Sequence, residues 1–568
     1  MDIFSVIVIA SLVVYLLIGV YAAWNLKGLD DFYVMSRNAS PFLICGTLLA
    51  TSTSSVALIG YTGGAYAIGP LPFVMVNSIS LIGNLFVGLY LGRYLRRMKL
   101  WTLPDFFFAR FPSETIRGAS MVIVLVSMIL YLIAVLLGVN VVLETIFGWG
   151  VVTSLVVTIG VITVFTFIGG MRGVVITDTV MFVVFFLAAV ALAPFILSAA
   201  GGWPEGLQRA SAELPRFTLW HGTYGIFEAI FLFFELGIVG IVLVTASPQM
   251  ISRAYIARDE KSLARGMIYL ALLLPIFGYC FVYIFGLMPL VAPDIESANA
   301  FPWAATNLAP ALLGAIALAG IIAAVLSTAS SLFQQAAATL SRDIYQRYVN
   351  PGVSESKLLV VSRVSIVLVA VVVFVGTARP EIGTFGVLYG FLFAAAFWAA
   401  WLPALYAGVM WRNATTAGAL WSMIGGSVVA LLLGLGRIFE ITPEWMPPSL
   451  FALLAASAVL ISVSMSTQTS EREVAVFEAM REPESTDEKE PADIGAGERS
   501  RPDRFGQVAV LVGTAAFMAV LAFTLPPLSR WFDTLIMMAA LFAPVVVAGL
   551  IYTKIERGGG WSLMRRLR

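Results

Sequence analysis

The sequence predicts an all-α polytopic membrane protein built from two inverted five-helix repeats with extra flanking helices. Of its 568 residues, 60% are hydrophobic and only 12% are charged, whereas soluble domains carry roughly 25% charged residues. Apolar stretches long enough to cross a hydrocarbon core of about 30 Å recur along the whole chain. Polar and glycine-rich residues interrupt two of these stretches, five spans apart. These observations predict about 15 transmembrane helices.

The predicted spans follow the apolar stretches in chain order. They lie at 3–24, 40–67, 70–92, 118–145, 151–169, 176–200, 225–250, 266–292, 308–340, 358–376, 384–409, 414–436, 448–467, 507–525 and 533–553. The first stretch follows an acidic residue, Asp2, and is longer than the apolar region of a signal peptide. We therefore interpret it as a retained span.

The spans divide the chain into segments with different expected roles. These are the first transmembrane helix with a cytoplasmic loop (1–39), the first inverted repeat (40–200), an extracellular loop (201–224), the second inverted repeat (225–409), two flanking helices (410–467), a disordered acidic cytoplasmic linker (468–506), and a C-terminal helical hairpin with a basic tail (507–568). The linker is assigned from its composition, which is rich in charged residues and poor in large apolar ones.

The positive charges predict the orientation of the chain. When the loops are assigned alternately to two sides, one side receives most of the Lys and Arg residues. The other side holds only Arg209, Arg216, Arg379, Arg437 and Arg530. Positive residues concentrate in cytoplasmic loops, so we expect a multi-pass protein of the cell (inner) membrane with its N-terminus outside and its C-terminus in the cytoplasm.

Span 2 carries the clearest interruption. Its sequence ATSTSSVALIGYTGGAYAIG, residues 50–69, has five consecutive hydroxyl residues followed by Gly60, Gly63 and Gly64. Backbone groups freed by a broken helix at membrane depth must be satisfied by protein or by a polar cavity. We predict that span 2 is discontinuous and lines a cavity; a small-residue packing face between helices is the alternative.

Span 7 is the second interrupted span, and it crosses the membrane in the opposite sense to span 2. It carries Glu235 near its centre and ends in SPQMISR. An ionisable residue at the centre of a span costs about 2.5–3.5 kcal/mol on insertion scales, which argues for a functional position. We predict that Glu235 binds a cationic group of the substrate or carries a proton. A protonated carboxyl hydrogen-bonded to a neighbouring helix is the alternative.

Span 9 contains the most specific stretch, AAVLSTASSLFQQAAATLSRDIY, at 323–345. With it, and with the block ending GYTGGAY, TLPDFFFARF at 102–111, GGMRGVVITD at 169–178 and SPQMISRAYIARDEKSLARG at 247–266, the chain resembles the sodium:solute symporter family. The resemblance covers about residues 1–467 and implies a leucine-transporter-like inverted-repeat carrier. The segment around Pro248 and Arg253 resembles the pantothenate and carboxylate branch.

The resemblance implies a sodium site between spans 2 and 9. Ser327 and Thr328 would supply hydroxyl ligands, and Ala50, Thr53 and Ala324 would supply backbone carbonyls. Hard cations favour oxygen ligands, so these donors suit sodium. The alternative is that both hydroxyls bond only to their own helix.

The resemblance also implies substrate contacts on the two interrupted spans. The candidates are Ser52, Ser54, Gly60, Glu235, Gly240, Val244 and Pro248. Some family members carry an acid at the position of Ser52, and proline-selective members carry aromatic residues upstream of the proline, where this chain has Gly240 and Val244. A proline carrier is therefore disfavoured.

Three charged residues near these motifs are interpreted as structural. Arg253 lies at the cytoplasmic end of span 7 and is interpreted as a positive-inside anchor. Arg172 and Asp178 are expected to pair across the mouth of span 6 as a latch.

Together these features predict a secondary active transporter that imports a small organic solute, with carboxylate-like solutes favoured, by symport with sodium through alternating access. Sodium is the expected cofactor, and the expected partners are the solute and the lipid bilayer, with no nucleic acid; the sequence gives no oligomeric state. Proton coupling and a transporter-like membrane sensor are the alternatives. An enzyme is disfavoured, because the single histidine, His221, falls in a loop and supports no acid–base constellation.

Overall fold

The computed structural model describes residues 2–24, 26, 28–74, 83–84, 86–202, 204–219, 225–379, 386–443 and 446–481. Its helices are numbered here in chain order. The first ten are α1 Ile3–Ala23, α2 Gly28–Val34, α3 Pro41–Ser52, α4 Val56–Ala67, α5 Gly92–Arg97, α6 Leu103–Arg110, α7 Glu114–Phe147, α8 Val151–Ala199, α9 Glu205–Glu213 and α10 Ile226–Thr245. The others are α11 Pro248–Ile256, α12 Glu260–Phe277, α13 Met288–Val291, α14 Ala300–Asn307, α15 Ala311–Ala338, α16 Glu355–Thr377, α17 Gly386–Met410, α18 Thr416–Ile438, α19 Pro448–Ser466 and α20 Glu471–Ala479.

The helices agree with the predicted all-α membrane architecture. Within the described residues, nine helices are long and apolar enough to cross a membrane, or ten if the bent pair α3 and α4 is one span. The predicted spans at 507–525 and 533–553 lie outside the described residues. The total of 15 spans and the repeat layout therefore stay predictions.

Helix α8 contains two predicted spans, 151–169 and 176–200. Its 49 residues would extend about 74 Å at 1.5 Å per residue, more than twice the thickness of a hydrocarbon core. The helix is divided at Gly170, where φ is +52° and ψ is −152°. Only glycine adopts such a conformation at little cost, and the ring of Phe32 lies where a Cβ atom would project. The two spans are therefore joined directly at Gly170.

The discontinuity predicted for span 2 is confirmed, since α3 and α4 meet at an angle of 58°. The last regular backbone bond of α3 runs from the Thr53 N–H to the Leu49 carbonyl (3.0 Å), and Thr53 then leaves the helical region at φ −101° and ψ 79°. The Ser54 hydroxyl accepts the N–H of Val56 (3.2 Å). Serine and threonine side chains offer the backbone such alternatives to helical bonds, and the run of hydroxyl residues thus ends α3.

Span 7 is also interrupted. Helix α10 ends at Thr245, and α11 begins at Pro248, which has no N–H to donate and is therefore favourable at the first position of a helix. The carbonyl of Ala246, which lies between the two helices, accepts a hydrogen bond from the Trp401 indole N–H (3.1 Å). Both breaks are thus satisfied by protein groups inside the bundle.

Helix α15 lies at the centre of the molecule. It packs against α3, α7, α8 and α16, and all of its residues from 317 to 338 are buried. Helix α1 packs on the outside of α8 and α15 and exposes large apolar side chains such as Leu17 and Tyr21. The polar segments of α3 and α15 therefore face each other in the interior.

One segment differs from the sequence prediction. Residues 468–506 are expected to form a disordered linker, but Glu471–Ala479 form helix α20. The Ser470 hydroxyl accepts the Glu473 N–H, and the Glu473 carboxylate accepts the Ser470 N–H, which is a capping box. The prediction is therefore wrong for this part, and residues 482–506 lie outside the described chain.

Candidate functional site

Side-chain hydroxyls of α15 meet the backbone carbonyls at the break in span 2. The Ser327 Oγ lies 3.0 Å from the carbonyl oxygen of Ala50 and 3.0 Å from that of Ala324. The Thr328 Oγ1 lies 3.1 Å from the carbonyl of Thr51 and 3.5 Å from that of Ala50. The carbonyls of Ala50 and Thr51 belong to the last turn of α3, where the helix end leaves them without the usual backbone donors.

The arrangement holds more oxygen lone pairs than protons. Three carbonyls accept, and two hydroxyls supply one proton each, so each hydroxyl has lone pairs to spare. Oxygen ligands about 2.4 Å from a cation and at right angles to one another stand about 3.4 Å apart. The separations of 3.0 to 3.5 Å between these oxygens are close to that value. The residues present fit a small hard cation.

Four of the five predicted sodium ligands come together in this way: Ala50, Ala324, Ser327 and Thr328. Thr53 is buried at the break itself, but among the described residues no hydrogen bond joins it to α15. Thr51 is an additional carbonyl that the sequence analysis missed. Its place in the same hydroxyl run, one residue after Ala50, was the available signal.

A second polar cluster lies directly beside these oxygens. One guanidinium nitrogen of Arg253, Nη2, lies 3.1 Å from the Asp178 carboxylate, 2.9 Å from the Thr47 hydroxyl and 3.0 Å from the Thr51 hydroxyl. It also donates to the Ser331 hydroxyl at 2.5 Å. All five side chains are fully buried, so the interpretation of Arg253 as a cytoplasmic anchor is wrong.

Thr51 connects the two clusters. Its carbonyl accepts from Thr328, and its side-chain hydroxyl accepts from Arg253. Ser331 follows Ser327 by one helical turn on the same face of α15. A shift of α11, which carries Arg253, would therefore act on the carbonyl end of α3.

The expected Arg172–Asp178 latch is also wrong. The Arg172 guanidinium donates to the Asp31 carboxylate of α2 at 3.0 Å, while Asp178 pairs with Arg253. Arg172 and Asp178 both form ion pairs, as expected, but with other residues and not with each other. The turn at Gly170 brings Arg172 next to α2 instead of toward Asp178.

The candidate substrate residues of span 2 lie at and beyond the break. Ser54 is buried, and the Tyr131 hydroxyl donates to it at 3.3 Å. Ser52 is half-buried and donates to the Leu49 carbonyl at 3.1 Å. Gly60 is half-buried, and a Cβ atom placed on it would meet only Val56 of its own helix, at 3.8 Å. Among the described residues, Gly60 therefore faces open space.

The neighbouring glycines have a different role. A Cβ atom on Gly63 would lie 2.7 Å from the Ser297 carbonyl, and one on Gly64 would overlap the ring of Phe73. These two glycines allow close packing, so the alternative of a small-residue packing face applies to them. The cavity interpretation applies to Gly60.

The candidates of span 7 are all buried. Gly240 and Val244 lie in the last turns of α10, and Pro248 is the first residue of α11. Their assignment as substrate contacts stays a prediction.

Glu235 is bonded to a neighbouring helix. Its carboxylate accepts the Ser449 hydroxyl at 2.8 Å and the Ser449 N–H at 3.2 Å. Ser449 lies in the first turn of α19, where N–H groups lack helical partners and a negative charge is favoured. The hydrogen bonds to a neighbouring helix match the alternative given for Glu235 from the sequence, and its protonation state and role stay predictions.

Comparison with known proteins identifies similar chains along most of the sequence. A model of the sodium:solute symporter family matches residues 32–426. The sodium/pantothenate symporter of Escherichia coli (strain K12) is 27% identical over 469 residues, which cover 79% of this chain and 94% of that protein. The sodium/proline symporter of Salmonella typhimurium is 26% identical over 455 residues, which cover 77% and 89%. These near-equal identities do not separate the two branches.

A solved structure of a Na⁺-coupled sialic acid symporter, in its substrate-bound outward-open state, is similar in fold. The TM-score is 0.71 at 17% sequence identity, and the match covers 83% of this chain and 99% of the other. At this identity the similarity shows the fold alone. The family match and the apolar helices together identify a multi-pass membrane protein.

Proposed function

The chain belongs to the sodium:solute symporter family, as its motifs predict, and we propose that it imports a small organic solute, preferably a carboxylate, by symport with sodium. Members of a transporter family move solutes by alternating access around a site near the middle of the membrane. This membership favours a carrier over a membrane enzyme or a sensor.

The observation that carries the proposal is the contact between Ser327 and Ala50. A helix interrupted inside a membrane protein exposes carbonyl oxygens, and a facing hydroxyl turns them into a neutral oxygen cage. Ser327 and Thr328 supply that hydroxyl pair at 3.0 to 3.5 Å from the carbonyls of Ala50 and Thr51. Sodium held there would join α3 to α15.

The same break supports the preference for a carboxylate. Helix α3 ends with its carbonyls at the break, whereas α4 begins there at Val56, with Ser54 accepting its first three N–H groups. The carbonyl end of a helix attracts a cation, and the N–H end attracts an anion. A carboxylate near the start of α4 and a sodium ion near the end of α3 would then bind side by side. Gly60 leaves open space one turn further along α4.

Coupling follows from linkage between these two ligands. A sodium ion that moves inward through a membrane potential of 100 mV releases about 2.3 kcal/mol. That free energy drives uphill import when each ligand raises the affinity for the other in the outward-facing state. Adjacent binding at one helix break provides such reciprocity.

Thermal unfolding of the purified protein tests the sodium site before the solute is known. Sodium, compared with potassium at equal ionic strength, should raise the Tm of the parent protein, because it binds the folded state. Ser327→Ala and Thr328→Ala should lose most of this difference. Ser330→Ala is the matched control, since the Ser330 hydroxyl is buried on the same helix and bonds to the Ser327 carbonyl at 3.0 Å. A sodium response that is equal in all four proteins would exclude the assignment.

Proteoliposomes with an inward sodium gradient test transport itself. Pantothenate, proline, short monocarboxylates and glucose form a suitable first panel, chosen from the names of the relatives and from the proposed carboxylate preference. Accumulation of a carboxylate that collapses when sodium is replaced by potassium supports symport. Accumulation driven by a pH gradient alone would instead favour proton coupling, and accumulation of glucose alone would contradict the carboxylate preference.

A further inference from the structure

Helix α20 is an unexpected feature of a segment with the composition of a solvated linker. It begins at residue 471, after the end of the family match at residue 426. Glu473 and Phe477 in this helix, and Met480 directly after it, are nevertheless buried. The helix is therefore docked on the body of the protein, on the side that carries Arg97, Arg110 and Arg412, which we call the basic face.

Glu473 attaches the start of α20 to the corner between α17 and α18. One carboxylate oxygen accepts the N–H (2.6 Å) and the hydroxyl (2.5 Å) of Thr416, the first residue of α18. The other accepts the N–H and hydroxyl of Ser470. A single negative charge thus caps the N-termini of two helices, where N–H groups lack partners.

Arg110 holds the same corner from the side of α6. Its buried guanidinium donates to the carbonyls of Gly408 (2.7 Å) and Trp411 (3.3 Å) at the end of α17, and to the carbonyl of Glu473 (3.2 Å). It also lies over the ring of Phe477, 5.3 Å from the ring centre. Burial lowers the pKa of Arg110 to about 10, partly offset by the charge of Glu473, so the side chain stays positive near neutral pH.

The other end of α20 is attached to α5 and α12, and also to α17. Arg97, the last residue of α5, donates to the carbonyls of Arg481 (3.1 Å) and Met480 (3.4 Å). Carbonyls at the end of a helix are left without partners and favour a positive charge. The same guanidinium pairs with Glu260 of α12 at 2.6 Å. Arg481 in turn donates to the Val409 carbonyl of α17 at 3.0 Å.

These attachments join two groups of helices that alternating access would separate. Helix α5 directly follows span 3, and α12 leads into span 8; these spans come directly after the interrupted spans 2 and 7. The corner between α17 and α18 follows the second predicted repeat. Transport that rocks or gates the interrupted helices against the rest of the bundle must change the distance between these groups.

We propose that α20 is a strap that holds the basic face closed and must release for the central site to open there. The proposal rests on the proposed transport function, because the strap has a role only if this face opens. Loss of the Arg97 contact would uncouple α20 from the interrupted-helix side, and loss of the Glu473 cap would loosen its hold on the corner, where Arg110 and Arg481 still bind. Loss of the strap should therefore speed opening without changing the sodium ligands.

A native thiol offers a readout that needs no solute. Cys45 is buried in α3, the half of span 2 that lies on the basic face, so its reaction with a maleimide reports opening of this region. The full-length protein with Cys280→Ser leaves Cys45 as the only cysteine. In that background, Glu473→Gln and Arg97→Ala should each raise the labelling rate about two- to tenfold, as expected when a hydrogen-bonded charge is lost.

A matched control separates the strap from nearby charges. Glu478→Gln removes an exposed charge of α20 that pairs with Arg412 in the corner between α17 and α18. It should label at the parent rate, because an exposed ion pair contributes little. The double variant Glu473→Gln with Arg97→Ala should label no faster than the faster single variant, because both changes weaken the same connection.

Equal labelling in all variants would overturn the strap, and so would a double variant whose rate is the product of the two single effects. Each variant must be folded, with a Tm within a few degrees of the parent. If Glu473→Gln unfolds, Arg97→Ala still tests the strap, because it leaves the cap on Thr416 intact. Sodium-driven uptake by the parent tests the transport function separately. An active parent with unchanged labelling rates would remove the strap alone.

Discussion

Arg253 and Asp178 form an ion pair inside the bundle, with Nη2 3.1 Å from a carboxylate oxygen and both side chains fully buried. The pair joins α11 to the second half of α8 and touches Thr47 and Thr51 of α3. A buried ion pair adds little net stability by itself, because both charges lose their water. Each charge nevertheless depends on the other.

Removal of one partner should therefore be costly. Asp178→Asn leaves a buried guanidinium without its counter-charge and should lower the free energy of unfolding by about 3–5 kcal/mol. Thermal unfolding in detergent measures the loss. Arg253→Lys keeps the positive charge but should still be less stable than the parent, because an ammonium group cannot reproduce the fixed fork of guanidinium donors.

The double variant Asp178→Asn with Arg253→Gln is the control for this prediction. Neutral amides remove both charges together, so the double variant should be more stable than Asp178→Asn alone. Losses that simply add would show that the two charges do not interact across this contact.

The helix breaks could be predicted from the sequence because their causes are local. A run of hydroxyl residues before Gly60 and a proline after Ser247 change the backbone wherever the helix is placed. The family resemblance implied that Ser327 and Ala50 lie close together, and the 3.0 Å distance between the Ser327 Oγ and the Ala50 carbonyl oxygen supports this.

The partners of the buried charges could not be predicted in this way. Arg172 and Asp178 are six residues apart, which suggests a local latch, yet they bond to Asp31 and Arg253, more than 70 residues away in the chain. The choice depends on how each helix is rotated about its axis and on the turn at Gly170, and neither is encoded in a short stretch. Composition also failed for α20, although Ser470 and Glu473 carried the spacing of a capping box.

Gly60 and Gly64 should respond differently to the same substitution. Gly60→Ala places a methyl group in open space and should leave the Tm nearly unchanged, while it alters the KM for the transported solute. Gly64→Ala forces a Cβ atom into the ring of Phe73 and should destabilise by about 1–3 kcal/mol, the usual cost of overpacking. Unfolding and uptake kinetics measured on both variants test the contrast. An unchanged KM in Gly60→Ala would argue against a cavity at this glycine.

Glu235 should matter for stability and not for proton coupling. Glu235→Gln weakens the charged hydrogen bonds to Ser449 and should cost about 1–2 kcal/mol of stability. The pH dependence of sodium-driven uptake should match that of the parent. Ser449→Ala should lose a similar amount, and the double variant should lose less than the sum. A shifted pH profile of uptake in Glu235→Gln would instead support the hypothesis that Glu235 carries a proton.

Docking of α20 should weaken in acid because it depends on an ionised Glu473. Burial alone would raise the pKa of this carboxyl, but hydrogen bonds from Thr416 and Ser470 outweigh burial, and the pKa lies below its ordinary value of 4.5. A carboxyl with a lowered pKa stabilises the folded contact fully above its unfolded pKa, and the stabilisation is lost as the pH falls through the folded pKa.

Hydrogen exchange of the α20 amides, corrected for the intrinsic effect of pH, measures this dependence. Protection should be constant from pH 7 to about 5 and should fall below about pH 4.5. Glu473→Gln should show lower protection at pH 7 and no acid-dependent loss, because the amide does not titrate in this range. Glu478→Gln should follow the parent. Protection that decreases equally in the parent and in Glu473→Gln would assign the acid sensitivity to a carboxyl other than Glu473.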